Sequence, residues 1–218
     1  MVRNEDFFFL RWAGPSFVRA HIAANGEDFV GGYCVGSEGL IPAIEYAEKP
    51  ASQTWRWMFE KQWLFYTVWG RLLYDPATPD ESFATAFEQR YGIAGSGDGA
   101  RMVKGFELVS IVPLRICAFI YNTWDFTMHA EGFLMAVNNP DKDANGFISV
   151  ETLLQAKTLD PSMQSIASFV DKPDATLTTP LQIAAELVNA SQSALALLSS
   201  KPPLAPVLGG EVGDVISW

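Results

Sequence analysis

Residues 30–40 read VGGYCVGSEGL, an apolar, glycine-rich run that delivers a serine and a glutamate at its end. Taken from Phe29 as FVGGYCVG, it predicts a strand buried on both faces, as parallel sheets require. Residues 5–12, EDFFFLRW, carry the same continuous aromatic and aliphatic character. Between the two lies GPSFVRAHIAANG, where Phe17, Val18, His21 and Ile22 recur at helical spacing and Gly26 supplies a stop. Strand, helical crossover and strand together predict a parallel β-α-β unit. Such a pair needs covered faces and further neighbours at its edges, and nothing downstream repeats the pattern.

From Thr54 onward the chain reads as helical. TWRWMFEKQWLFYTVWGRLLY, residues 54–74, is apolar almost all the way round, which predicts a helix central to a bundle, with Arg56 and Glu60 spaced as an i,i+4 pair. Asp75-Pro76 ends it. Thr78-Pro79-Asp80-Glu81 predicts an N-cap at Thr78, a proline at the first helical position and a helix running to Gly92. GSGDG, residues 95–99, is a loop, and ARMVKGFELVSIVPLRICAFIYN is a long helix that Pro113 should kink. Asp160-Pro161 opens a short helix, and Thr179-Pro180-Leu181-Gln182 opens a longer one reaching about Ser200. KPPLAPVLGG reads as a linker, and EVGDVISW has helical spacing without a stop signal, as though the chain continued. The expected fold is thus predominantly α-helical, with a short β-α-β unit in residues 1–50 and a helical domain in residues 51–218.

With 218 residues, 49% of them hydrophobic, the chain can bury a sizeable core. A formal charge of −10 leaves no basic stripe to neutralise phosphates, so nucleic acid is not an expected partner. No apolar run reaches the roughly 18 residues of a membrane span, and no membrane partner is expected. Cys34 and Cys117 both sit in apolar runs, where a thiol is expected to act as a small buried hydrophobe. His21 and His129 without a close cysteine pair make zinc improbable. DKDANGFISVET, residues 141–152, follows a calcium-loop pattern but places Thr152 where a bidentate glutamate belongs, so a tight Asx-glycine turn leading to Ser149 is preferred. No cofactor is expected.

Side chains that do chemistry gather at the carboxyl ends of parallel strands. Those ends are Arg11-Trp12 and Ser37-Glu38. Glu38 would serve as a general acid or base, and an arginine beside a tryptophan suits a sugar ring bearing a carboxylate. Equally, Arg11 and Glu38 would make an ion pair tying the strand ends together. NTWDFTMHAEGF, residues 122–133, offers Trp124 for stacking and Asp125 for hydroxyl groups, or forms an ordinary inter-helix loop. Arg71 either pairs with Asp75, caps carbonyls or meets substrate. The glycines of GSGDGA follow a helix rather than a strand and argue weakly for phosphate binding.

FLRWAGPSFVRAHI, GGYCVGSEG and KQWLFYTVWGRLLYDPATPDESF together resemble the barrel end and following helical domain of family 67 glycoside hydrolases, the α-glucuronidases. The run Trp69-Gly70-Arg71-Leu72-Leu73-Tyr74-Asp75-Pro76 carries the helix-to-proline-turn part of that likeness, and the whole covers about half of the chain. The resemblance implies a (β/α) barrel that hydrolyses a glycosidic bond with inversion, its carboxyl groups about 6.5–9.5 Å apart. One strand-end carboxylate, Glu38, is present here, and most of such a barrel would lie upstream. Two function classes follow. One is the C-terminal portion of a carbohydrate-active hydrolase for a carbohydrate or uronic-acid substrate, inactive alone, with a possible homodimer through its helices. The other is a self-contained helical ligand-binding or interaction protein in which Glu38 is structural.

Overall fold

The computed structural model describes residues 2–3, 13–26, 29–36, 60, 62–120 and 154–199. These residues are mostly helical: α1 (Pro15–Asn25), α2 (Trp63–Tyr74), α3 (Asp80–Tyr91), α4 (Asp98–Phe119), α5 (Ile166–Asp171) and α6 (Pro180–Leu198). Two short strands, β1 (Val2–Arg3) and β2 (Val35–Gly36), pair in parallel as Val2 with Val35 and Arg3 with Gly36. The chain divides into two compact units, Met1–Ser110 with Gln192–Trp218, and Ile111–Ser191.

The second strand is far shorter than FVGGYCVG called for. Residues 29–34 form a turn and irregular backbone, Phe29 is 85% exposed, and Cys34 faces solvent rather than a core. Gly31 and Gly32 explain part of this, since glycine brings no side chain to pack against a sheet neighbour. A two-residue pairing does not make a doubly buried sheet. The expected first strand, residues 5–12, lies outside the described residues.

In the first unit α1 packs on α2 and α2 on α3. The helix expected over residues 54–74 is, within the described residues, broken by a turn at Gln62 and restarts at Trp63. It is also one-sided rather than apolar all round: Leu64, Phe65, Val68, Trp69 and Leu72 are buried, whereas Gly70, Arg71 and Tyr74 face solvent. Phe83 and Phe87, one turn apart on α3, are fully buried, and the Phe87 ring lies 5.8 Å from that of Phe106 on α4. Each such phenylalanine contributes about 1.5–3 kcal/mol through burial. Trp63 closes one side of this group, 5.8 Å from Phe87, with its indole N–H donating to the Tyr91 hydroxyl at 3.1 Å.

The turn between α2 and α3 differs from expectation in an informative way. Pro79, not Thr78, is the N-cap of α3, and the Pro79 carbonyl accepts the Ser82 N–H at 3.0 Å. The Thr78 hydroxyl donates back to the Asp75 carbonyl at 2.8 Å. Arg19 on α1 fixes this conformation by donating to the carbonyls of Pro76 (3.1 Å) and Thr78 (2.5 Å) and to the Asp80 carboxylate (2.7 Å). Asp75 is engaged with the Ala77 N–H at 2.9 Å, and no ion pair joins it to the exposed Arg71 among the described residues. Gly92 ends α3 at φ 67°, a left-handed conformation that glycine adopts without penalty, while Ile93 N–H reaches back to the Glu88 carbonyl at 2.9 Å.

The GSGDG segment is only partly loop, because α4 begins at Asp98. Its glycines wrap around an anion that belongs to the chain itself. The Glu88 carboxylate accepts the N–H groups of Gly95 (2.9 Å) and Gly99 (3.1 Å), satisfying a donor in the first turn of α4. Farther along α4, Gly105 admits Leu198 of α6, whose side chain would lie 2.6 Å from any Cβ placed there.

In the second unit α4 continues as helix through Pro113. Asp160-Pro161 opens a turn rather than a helix: the Asp160 carboxylate accepts the N–H and the hydroxyl of Ser162, at 2.9 and 2.7 Å. The short helix starts instead at Ser165, whose hydroxyl caps α5 by accepting the Ser168 N–H. Buried Gln164 organises the segment that follows, donating to the Lys172 carbonyl (2.7 Å) and accepting the Asp174 N–H (3.0 Å). The start of α6 is the reciprocal capping box that its sequence announces, with Thr179 N–H donating to Gln182 (2.8 Å) and Gln182 N–H to the Thr179 hydroxyl (3.3 Å).

Candidate functional site

All six residues nominated from the sequence, Arg11, Trp12, Ser37, Glu38, Trp124 and Asp125, lie outside the described residues, as do residues 122–133 and the calcium-like segment 141–152. The structure describes the chain directly after Trp12 and directly before Ser37. Both stretches belong to the first unit.

The chain after Trp12 is tied down at two points by one edge of α4. Ala13 N–H donates to the buried Ser110 hydroxyl at 3.1 Å, and that hydroxyl donates in turn to the Phe106 carbonyl at 2.7 Å. One turn earlier on α4, Glu107 accepts a hydrogen bond from the Ser16 hydroxyl and another from the Lys104 ammonium at 2.6 Å. Between the two ties, Gly14 stands at φ 148° and Pro15 presets the first helical residue of α1. Glu107 is only 8% exposed. Burial pushes its carboxyl upward, but the hydrogen bonds from Lys104 and Ser16 outweigh burial and hold it below the ordinary glutamate value. Reading the sequence did not single out Glu107. Its signal is a lone acid in KGFELVSIV, three residues after a lysine and otherwise surrounded by apolar positions.

The stretch before Ser37 meets a group of rings. His21 on α1 stands edge-on to Tyr33 (5.8 Å) and to Trp69 (5.4 Å), with Phe17 at 6.0 Å. The Tyr33 hydroxyl oxygen is enclosed and has no hydrogen-bond partner among the described residues. Burial lowers the His21 pKa below its ordinary value and so favours neutral imidazole. Among the described residues no three His, Cys, Asp or Glu side chains come together to hold a metal ion, and no described helix is long and apolar enough to cross a membrane.

These two groups separate the response to acid into two windows. The folded pKa of His21 lies below its unfolded value, so its contribution is complete above about pH 6.5 and shrinks below it, as the unfolded chain takes up a proton that the folded chain refuses. The folded pKa of Glu107 is likewise depressed, so its contribution is present above about pH 4.5 and is lost as pH falls through the folded value. Urea unfolding from pH 8 to pH 3 should show stability declining in both windows. His21→Phe should flatten the upper decline alone and Glu107→Gln part of the lower one. Parallel curves for wild type and both variants would disprove this account.

No family model matches the chain, and no curated protein matches it. Among solved structures it is similar to a GH138 enzyme targeting pectin rhamnogalacturonan II, with a TM-score of 0.59 and 14% sequence identity over 98% of this chain and 26% of that one. At this identity the likeness is one of fold. The chain spans about a quarter of the length of that neighbour. The neighbour is assigned to GH138 rather than to family 67, so the likeness does not bear out the narrower resemblance.

Proposed function

We propose that the chain works as part of a carbohydrate-active glycoside hydrolase, contributing the end of a (β/α) barrel and a helical region that buttresses it. The observation that carries this reading is the fold likeness to a glycoside hydrolase over nearly the whole chain. The sequence adds a chemical motive, because Arg11-Trp12 offers a charge for a uronic-acid carboxylate and an aromatic face for its ring. In this reading Glu38 is the acid or base, Ser37 adjoins it, and Trp124 and Asp125 line the sugar site. One carboxylate completes no hydrolytic pair, so the chain alone should bind a uronic acid weakly, with Kd near the millimolar range that about 4 kcal/mol supports, and should not turn over a glycoside.

The decisive assay compares this chain with any longer polypeptide from the same reading frame on an aryl glucuronide. Turnover should appear only in the longer form, and Glu38→Gln should reduce it by at least about 10²-fold, the usual scale for losing an acid or base. Turnover unchanged in that variant would remove Glu38 from the mechanism. Failure of both forms to bind or cleave any glycoside would favour the helical interaction protein, for which exposed Leu181, Val188 and Val170 supply apolar contact surface.

A further inference from the structure

We infer that the outer side of α6 is a dimerisation seam, and that its occupant is the same helix of a second copy, laid antiparallel about Val188. The inner side of α6 is already engaged. Ile183, Ala190, Ala194 and Leu198 are buried, and Glu186, the one ionisable residue of the helix, is paired with Arg115 at 2.8 Å. A second apolar row runs along the outer side. Leu181 (68% exposed), Val188 (53%) and Leu195 (47%) follow one another at seven-residue intervals, about two turns each. Ala184, Ala185, Ser191 and Gln192 are exposed between them. A surface helix ordinarily turns charged side chains to water, and a helix that is apolar all round is ordinarily covered all round. Here the covering stops halfway.

The row is its own complement. Val188 lies midway between Leu181 and Leu195, so an antiparallel pair with its two-fold axis at Val188 sets Leu181 against the partner's Leu195 and Val188 against the partner's Val188. The residues three and four places from Val188 are alanines on one side and Ser191 and Gln192 on the other, so each small side chain leaves room for a larger polar one. Parallel pairing would instead stack alanine on alanine, leaving a gap, and glutamine on glutamine. Charge favours this face over others. Each chain carries a formal charge of −10 and copies repel in general, but no ionisable group lies in this row. Antiparallel helices also set the positive end of one dipole beside the negative end of the other. The area sets the strength. A helix of 19 residues is about 28 Å long, and pairing along it covers on the order of 400 Å² on each partner, half of the ~800 Å² typical of a stable interface. The dimer is therefore weak, with Kd on the order of 100 µM.

Sedimentation equilibrium of the full chain, from about 5 µM to about 500 µM, brackets that constant. The weight-average mass should rise from one chain toward two across the range. Val188→Glu should weaken association at least about tenfold, because two carboxylates then meet on the axis. Leu181→Glu and Leu195→Lys should each weaken it alone, and an equimolar mixture of the two should recover most of it, since only antiparallel pairing brings position 181 of one copy to position 195 of the other. Tyr74→Glu, at an exposed aromatic residue on α2, should change nothing. All substituted positions are exposed, and circular dichroism of each variant should match wild type. A wild type that stays monomeric throughout would overturn the seam, whether another protein or another part of this chain covers the face. Association unaffected by Val188→Glu, or equally lost in Tyr74→Glu, would overturn α6 as its location. No recovery in the mixture would overturn the antiparallel register. These outcomes do not depend on whether the chain binds a carbohydrate.

Discussion

Phe87→Ala should destabilise the first unit by about 3–5 kcal/mol, the range for deleting a fully buried aromatic ring. Phe87 has no exposed surface, and its ring is the meeting point of three others: Tyr91 at 4.7 Å, Trp63 at 5.8 Å and Phe106 at 5.8 Å. Those partners come from α2, α3 and α4, so collapse into the void requires three helices to move together. The rigid neighbourhood makes collapse poor. Trp63 is held by its hydrogen bond to Tyr91 and by the Arg90 guanidinium 4.9 Å above its ring. A lower urea midpoint with an unchanged slope is the expected signature, and Phe87→Leu should recover more than half of the loss. A cost below about 1 kcal/mol would mean that the ring is not the hub of this core.

The parts of the fold that the sequence announces are those decided within a few residues. Gly92 stops α3, Asp75-Pro76 stops α2 and the Thr179–Gln182 pair starts α6, because each depends on a cap or a φ angle fixed locally. The misread parts are decided by residues far along the chain. Thr78 looks like an N-cap, yet Arg19, 59 residues earlier, takes its carbonyl and the helix begins after Pro79. GSGDG looks like an open loop, yet Glu88 gathers two of its amides. Cys34 looks like a core residue because its neighbours are apolar, yet it is exposed, and Gly31 and Gly32 just before it bring no side chains to pack. The candidate site follows the same division. Its strand-end residues were nominated by a positional rule, whereas the ties of Ala13 and Ser16 to α4, across 97 and 91 residues, carry no local signal at all.

Gly99→Ala and Gly70→Ala should change stability in opposite directions although both place a methyl group on a helix. In an exposed helix, alanine is better than glycine by about 0.8–1.0 kcal/mol. Gly70 on α2 is such a place, exposed and with nothing within 4 Å of a Cβ built there, so Gly70→Ala should raise the midpoint of unfolding. Gly99 sits where α4 crosses α3. A Cβ there would lie 2.2 Å from the Ala84 carbonyl oxygen and 2.7 Å from Glu88 Cγ. A carbonyl oxygen within a helix cannot rotate away as a side chain can, so the two backbones must separate by about 1 Å. Overpacking of this kind costs about 1–3 kcal/mol and sometimes more, which outweighs the propensity gain. The separation also pulls Glu88 from the amides of Gly95 and Gly99, exposing the first turn of α4. Thermal unfolding of the two variants beside wild type measures the contrast, and a Gly99→Ala protein as stable as Gly70→Ala would show that α3 and α4 do not approach this closely.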